Sequence, residues 1–204
     1  MLKLVRFERS TNVERVALAL AYKGIEVESI WVDPHDRSAV RELSGQDLVP
    51  VLVDGELVLP DSTAILEHLE ERFPDPPLYP ADPARRAEVR IFIDWFNRVW
   101  KGAPNRMTDA IDSGTADPEA IARDGAWLQD ALELFEALLQ ARDHLFGDFG
   151  AADCAAWPFL RYARSIDRDD PWTFHVVLNE HMQLDGRHPR LADWIDRVAA
   201  RPMA

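Results

Sequence analysis

Leu48-Val49-Pro50-Val51-Leu52-Val53-Asp54-Gly55-Glu56-Leu57-Val58-Leu59-Pro60-Asp61-Ser62 is the stretch that decides the fold. Two apolar runs meet at Asp54-Gly55, and glycine tolerates the positive φ that a tight turn requires, so the segment predicts a β-hairpin. Pro50 suits the opening of the first strand, where no ladder hydrogen bond is needed from its nitrogen. Pro60-Asp61-Ser62 then opens a helix through about Arg72, with Ile65, Leu66 and Leu69 inward and Phe73-Pro74 as its end.

Upstream, Leu2 to Phe7 reads as a short strand. Asn12 to Lys23 places Val13, Val16, Ala17, Leu20 and Ala21 on one helical stripe, with Gly24 as the stop. Glu26 to Val32 is rich in β-branched and aromatic residues and predicts a second strand. A strand, helix and strand in this order imply a parallel pair with a right-handed crossover. Asp33 to Asp47 is polar, with one weak helical turn around Ser38 to Leu43. The order predicted for residues 1–75 is therefore βαβαββα.

Residues 75–83 hold four prolines in nine positions, so neither a helix nor a central strand continues through them, and 76–83 reads as a linker. Beyond it the pattern is helical. Ala84 to Trp100, Pro118 to Ala141, Ala151 to Ser165 (broken near Pro158) and His188 to Ala200 read as helices, with no convincing strand. The predicted architecture is an α/β domain, 1–75, followed by an all-α domain, 84–204.

The chain has 204 residues and a formal charge of −13. That charge argues against nucleic-acid and anionic-membrane partners, whose phosphates attract cationic surfaces. No apolar run approaches the length of a membrane span, and the N-terminus is too short and too charged for a secretory signal. The single cysteine, Cys154, excludes an intrachain disulfide and a CxxC pair, and it reads as a small buried apolar residue. A cytoplasmic protein is expected. The six histidines show no metal-ligand spacing, and no glycine-rich phosphate loop is present, so no metal or cofactor is expected.

Four local patterns, Ser10-Thr11-Asn12-Val13-Glu14-Arg15-Val16, Leu48-Val49-Pro50-Val51-Leu52, Asp61-Ser62-Thr63-Ala64-Ile65 and Phe146-Gly147-Asp148-Phe149 with Ala152-Asp153, occur in this order along the chain. The first domain resembles thioredoxin-like folds, and together with the helical domain the whole chain resembles serine-type glutathione S-transferases. The resemblance implies glutathione as co-substrate, a small electrophile as second substrate, a homodimer and a role in detoxification. A glutathione-dependent isomerase of the maleylacetoacetate type, or a non-catalytic binding protein of the same fold, remains an alternative. Ser10-Thr11-Asn12 departs from the Ser-Ser-Cys run of such isomerases.

Ser10 lies between the first strand and the first helix, where unpaired N–H groups favour an anion. A hydroxyl donating to a thiol sulfur there stabilises the thiolate. The resemblance gives Ser10 that role; as a residue type it equally suits a helix N-cap. The resemblance also implies a cis Val49-Pro50 bond, with the Val49 backbone pairing with the cysteinyl unit of glutathione. Asp61 and Ser62, at a second helix start, match the ammonium and carboxylate of a γ-glutamyl group, or simply cap the helix. Leu48 stands where the family commonly carries a polar residue for the glycyl carboxylate, so that contact is either supplied by His35, Arg37 or Arg41 or missing. The Gly150 position of the Ala152-Asp153 capping pattern lacks a side-chain cap. Thr11, Trp100 and Arg106 are the expected second-substrate residues, with Trp95, Phe96, Lys101 and Met107 nearby in sequence; Phe149, Trp157 and Phe159 read as core.

Overall fold

The computed structural model describes all residues from Met1 to Ala204. Their contacts form two units, Met1–Arg86 with Arg201–Ala204, and Ala87–Ala200.

In the first unit the elements run β1 (Leu2–Arg6), α1 (Thr11–Lys23), β2 (Val27–Trp31), α2 (Ser38–Ser44), β3 (Val51–Asp54), β4 (Leu57–Leu59) and α3 (Ser62–Arg72). The sheet order is β2-β1-β3-β4. β1 is parallel to β2, with Val5 opposite Ile30, and antiparallel to β3, with Val5 opposite Val51. β3 and β4 close as the expected hairpin through Gly55 at φ +63°. Leu4 and Val5 point to opposite faces of β1 and are both buried, so both faces of the sheet are covered. Val5, Val13, Val40, Val49 and Val51 form one cluster, which fixes the segment before β3 against α1 and α2.

The proline-rich segment is packed rather than free-running. Lys23, wholly buried, donates from Nζ to Glu70 Oε2 (3.0 Å), the Phe73 carbonyl (2.6 Å) and the Pro76 carbonyl (2.8 Å). Glu70 also accepts from the Leu78 N–H at 2.8 Å, and Leu78 and Tyr79 are buried. The final residues return to the same unit. The Ala204 N–H donates to the Ala17 carbonyl (3.2 Å), and Arg6 Nη1 donates to the Ala204 carbonyl (2.7 Å).

The second chain region begins with α4 (Pro83–Trp95), followed by a π-helical turn over Phe96–Trp100 and then α5 (Gly102–Asp112). The chain is thus helical to Trp100 as expected, with its last five residues wound as a π-helical turn. Pro104 has no N–H to give the Trp100 carbonyl, so the ladder must break just upstream. Lys101 N–H instead reaches back five residues to the Phe96 carbonyl at 3.0 Å. α6 (Pro118–Leu138), α7 (Ala151–Leu160), α8 (Thr173–His181) and α9 (Pro189–Ala199) complete the unit. α7 runs through Pro158 instead of breaking there, and tightens into a 3-10 turn only at Arg161–Ala163. All ten α7 residues are buried, so packing on every side outweighs the roughly 3 kcal/mol that an interior proline costs. No helix is long and apolar enough to cross a membrane.

Candidate functional site

The first unit gathers three of the expected elements at helix N-termini and at the start of β3. Between β1 and α1 the chain reverses through Arg9, whose φ of +63° is unusual for a residue with a Cβ. Ser10 follows as the N-cap of α1, in extended conformation. Its Oγ accepts from the Val13 N–H at 3.4 Å, a long bond, while its carbonyl accepts the Glu14 N–H at 2.9 Å. As an acceptor in that bond, the hydroxyl keeps its own hydrogen for another partner. Ser10 is half-buried, so a ligand atom can reach it. Capping and ligand contact are therefore compatible at this residue. Thr11, by contrast, is only 7% exposed; its side chain belongs to the interior of the unit, which corrects its expected place in a second-substrate pocket.

The Val49-Pro50 bond is cis. The β1–β3 ladder begins at Val51, so the Val49 N–H and carbonyl lie outside it, and they take part in no backbone hydrogen bond elsewhere.

Asp61 caps α3: its Oδ1 accepts from the Thr63 and Ala64 N–H groups, both at 2.9 Å. Asp61 is exposed and Oδ2 is not used in the cap, leaving an oxygen for a cationic group. Ser62, the next residue, is buried, and its hydroxyl accepts from Arg15 Nη1 at 3.4 Å. Arg15 is 1% exposed. It carries a positive charge from α1 to the first residue of α3, beneath two helix ends that already favour anions. Arg15 is a functional residue that the sequence pattern alone does not single out. The missed signal is an arginine set among the inward apolar residues of α1, since an arginine is rarely buried without a polar task.

The three glycyl-end candidates lie in and around α2, each with its own contacts. His35 is exposed, and its backbone N–H closes a turn on Asp33 Oδ1 at 2.8 Å. Arg37 donates from Nε to the Pro34 carbonyl (2.6 Å) and from Nη1 to the Asp47 carbonyl (2.9 Å), and its guanidinium lies 4.4 Å from the Phe7 ring centroid. Burial lowers its pKa, opposed by the charges of Asp47 and Asp33. Arg37 thus holds the loop around α2 together through Nε and Nη1. Arg41 pairs with Asp47 at 2.7 Å; this hydrogen bond raises the arginine's pKa and lowers the aspartate's.

Two expected second-substrate residues lie in the second unit. Trp100 has no exposed surface: it stacks on Phe96 at 4.5 Å and 13°, with Phe135 and Phe159 edge-on at 6.2 Å. It is a core residue, and its expected role in a pocket is corrected. Arg106 is exposed but held in a bidentate pair with the largely buried Asp124, at 2.9 and 3.0 Å. The hydrogen bond to Asp124 raises the pKa of Arg106. Together with Arg123 and Trp127 of α6, Arg106 lines a shallow cavity of about 400 Å³. Cys154, Phe149, Trp157 and Phe159 are all buried, as expected.

Two family models match the chain: glutathione S-transferase, N-terminal domain, over residues 4–77, and glutathione S-transferase, C-terminal domain, over 118–197. A maleylacetoacetate isomerase of Pseudomonas aeruginosa is 42% identical over 212 aligned positions, covering 98% of this chain and 92% of the relative. A maleylpyruvate isomerase of a Ralstonia species is 35% identical over 180, covering 82% and 85% respectively. Among solved structures, a glutathione S-transferase of Methylobacterium radiotolerans in complex with glutathione sulfonate superposes with a TM-score of 0.76 at 27% identity, covering 98% of this chain and 91% of that one.

Proposed function

Because the chain belongs to the glutathione S-transferase family, we propose that it binds glutathione in its first unit and uses the thiolate as a nucleophile toward a small electrophile. Ser10 carries the reading: its hydroxyl sits at the α1 N-terminus, accepts one long bond, and keeps its hydrogen for the sulfur. A free thiol has a pKa of about 8.5, and only the thiolate attacks. One charge-assisted hydrogen bond and a helix end are together enough to lower that value by about one to two units. The Val49 backbone holds the cysteinyl unit. Asp61 Oδ2 takes the γ-glutamyl ammonium, and the α3 N-terminus, backed by Arg15, takes its carboxylate.

Conjugation and isomerisation share the first step. Sulfur forms a bond to an electron-poor carbon, and the displaced electron pair moves to a leaving group or onto a conjugated carbonyl. In isomerisation the former double bond then rotates and the C–S bond breaks again, returning glutathione unchanged. The two isomerase relatives, matched over more than four-fifths of the chain, favour this second course, with a cis-unsaturated dicarboxylate as substrate. The reading includes a homodimer and a cytoplasmic setting, both supported by the family rather than by any contact within this chain.

The test is an assay of the purified protein with glutathione and two substrate sets, activated haloarenes and cis-ene dicarboxylates such as maleylacetoacetate. Loss of thiol equal to product formed identifies conjugation; trans product at constant thiol identifies isomerisation. Neither reaction, together with no heat of glutathione binding, overturns the proposal.

A further inference from the structure

We propose that the thiol site does not require the C-terminal carboxylate of its substrate, so that γ-glutamylcysteinyl thiols with an esterified, amidated or extended C-terminus are accepted as well as glutathione. The inference rests on the proposed function above.

The β3–β4 hairpin sets Leu59 opposite Leu52 and so returns the chain toward the start of β3 at Asp61; a ligand with its γ-glutamyl head at the α3 N-terminus and paired with Val49 then runs antiparallel to it. The C-terminal end of the ligand then points toward the residues preceding Val49. Leu48 is met first, an apolar residue that is nevertheless 69% exposed. Its backbone polar groups are occupied. Gln46 Oε1 accepts from the Leu48 N–H, and Gln46 Nε2 donates to the Leu48 carbonyl at 2.7 Å. The glutamine amide, otherwise the natural partner of a carboxylate, is therefore folded onto its own loop.

The cations behind Leu48 are engaged too. Arg37 is committed to two carbonyls and the Phe7 ring, and Arg41 to Asp47. Residues 33–47 contain four acids (Asp33, Asp36, Glu42, Asp47) against two arginines, a net of −2 with His35 neutral. His35 itself stands between Asp33 and Asp36 in sequence. A carboxylate arriving here meets an apolar side chain, closed backbone groups and a negative segment, so its charge finds no compensation. A neutral group is placed against exposed leucine at no electrostatic cost.

Calorimetric titration of the full chain with glutathione and with its glycyl monoethyl ester tests this, because a carboxylate held by even one charge-assisted bond is worth roughly tenfold or more in affinity. The expected result is a Kd for the ester within about fivefold of that for glutathione. The variant Leu48→Lys should shift the preference toward glutathione by at least about fivefold, because it supplies the missing cation at an exposed position. A wild-type preference for glutathione beyond fivefold overturns the inference and leaves the thiol reading standing. An unchanged preference in Leu48→Lys also overturns it, since the ligand's end then lies elsewhere. Binding of neither thiol overturns the inference together with the function it rests on.

Discussion

The N-terminus of α1 and the N-terminus of α7 are capped by side chains of very different occupancy. At α7 the third helical residue, Asp153, is 1% exposed and accepts from the Gly150 N–H (3.0 Å), the Leu145 N–H (3.1 Å) and Trp194 Nε1 (2.8 Å). Gly150 has no side chain to return the cap, so the carboxylate alone fixes the helix start to the preceding turn and to α9. At α1, Ser10 makes one long bond and stays half-buried. A polar group whose every partner lies within the protein holds the fold, whereas one left partly unoccupied at a helix end is equipped to meet a ligand.

The largest effect is expected from Asp153→Ala. It strands three donors in the interior and should cost roughly 3–5 kcal/mol, read as a shift in the denaturant midpoint; a loss below about 1 kcal/mol would dissolve the contrast with Ser10. Lys23→Met tests whether occupancy matters equally in the first unit. Its buried ammonium serves Glu70 and two carbonyls, and its removal should cost about 3 kcal/mol in the same measurement, with the segment around Pro76 becoming protease-sensitive.

Ser10→Ala should do the reverse. Losing a long cap bond costs about 0.5–1 kcal/mol of stability, while turnover should fall about 10- to 100-fold, the equivalent of one to two pKa units at the sulfur. Equal stability loss at Ser10 and Asp153, with turnover intact, would break the comparison.

The smallest effect concerns an engaged but exposed group. The Arg41 hydrogen bond lowers the pKa of Asp47, so its contribution is present above the ordinary carboxylate range and is lost as pH falls through the depressed value. Asp47→Asn should therefore differ slightly from wild type in chemical denaturation at pH 7. The difference should vanish in acid and shrink in high salt.

Much of the first unit was legible because its signals are local. The Asp54-Gly55 turn, the period-2 and period-3.6 patterns, and the capping residues at 10 and 61 each act within a few positions of themselves. The cis Val49-Pro50 bond was legible only through the family resemblance. What was not legible depends on distant partners. The burial of Trp100 follows from Phe96, Phe135 and Phe159, two of which lie far along the chain. The helix through Pro158 survives because packing surrounds it, and proline's local rule points the other way. α5 and α8 carry Pro104 and a nine-residue length respectively, both weak helical signals on their own. Arg15 was visible as a residue, but its reach to Ser62, 47 positions away, needs the packing of α1 on α3.

The proposed chemistry requires the sulfur to be held as an anion by Ser10. Titrating the ultraviolet absorbance of protein-bound glutathione against pH measures its thiol pKa directly. The expected value lies about one to two units below the free thiol's 8.5 in the wild type, and returns upward by about one unit in Ser10→Ala. A bound thiol that titrates at the same pH in both proteins would contradict it.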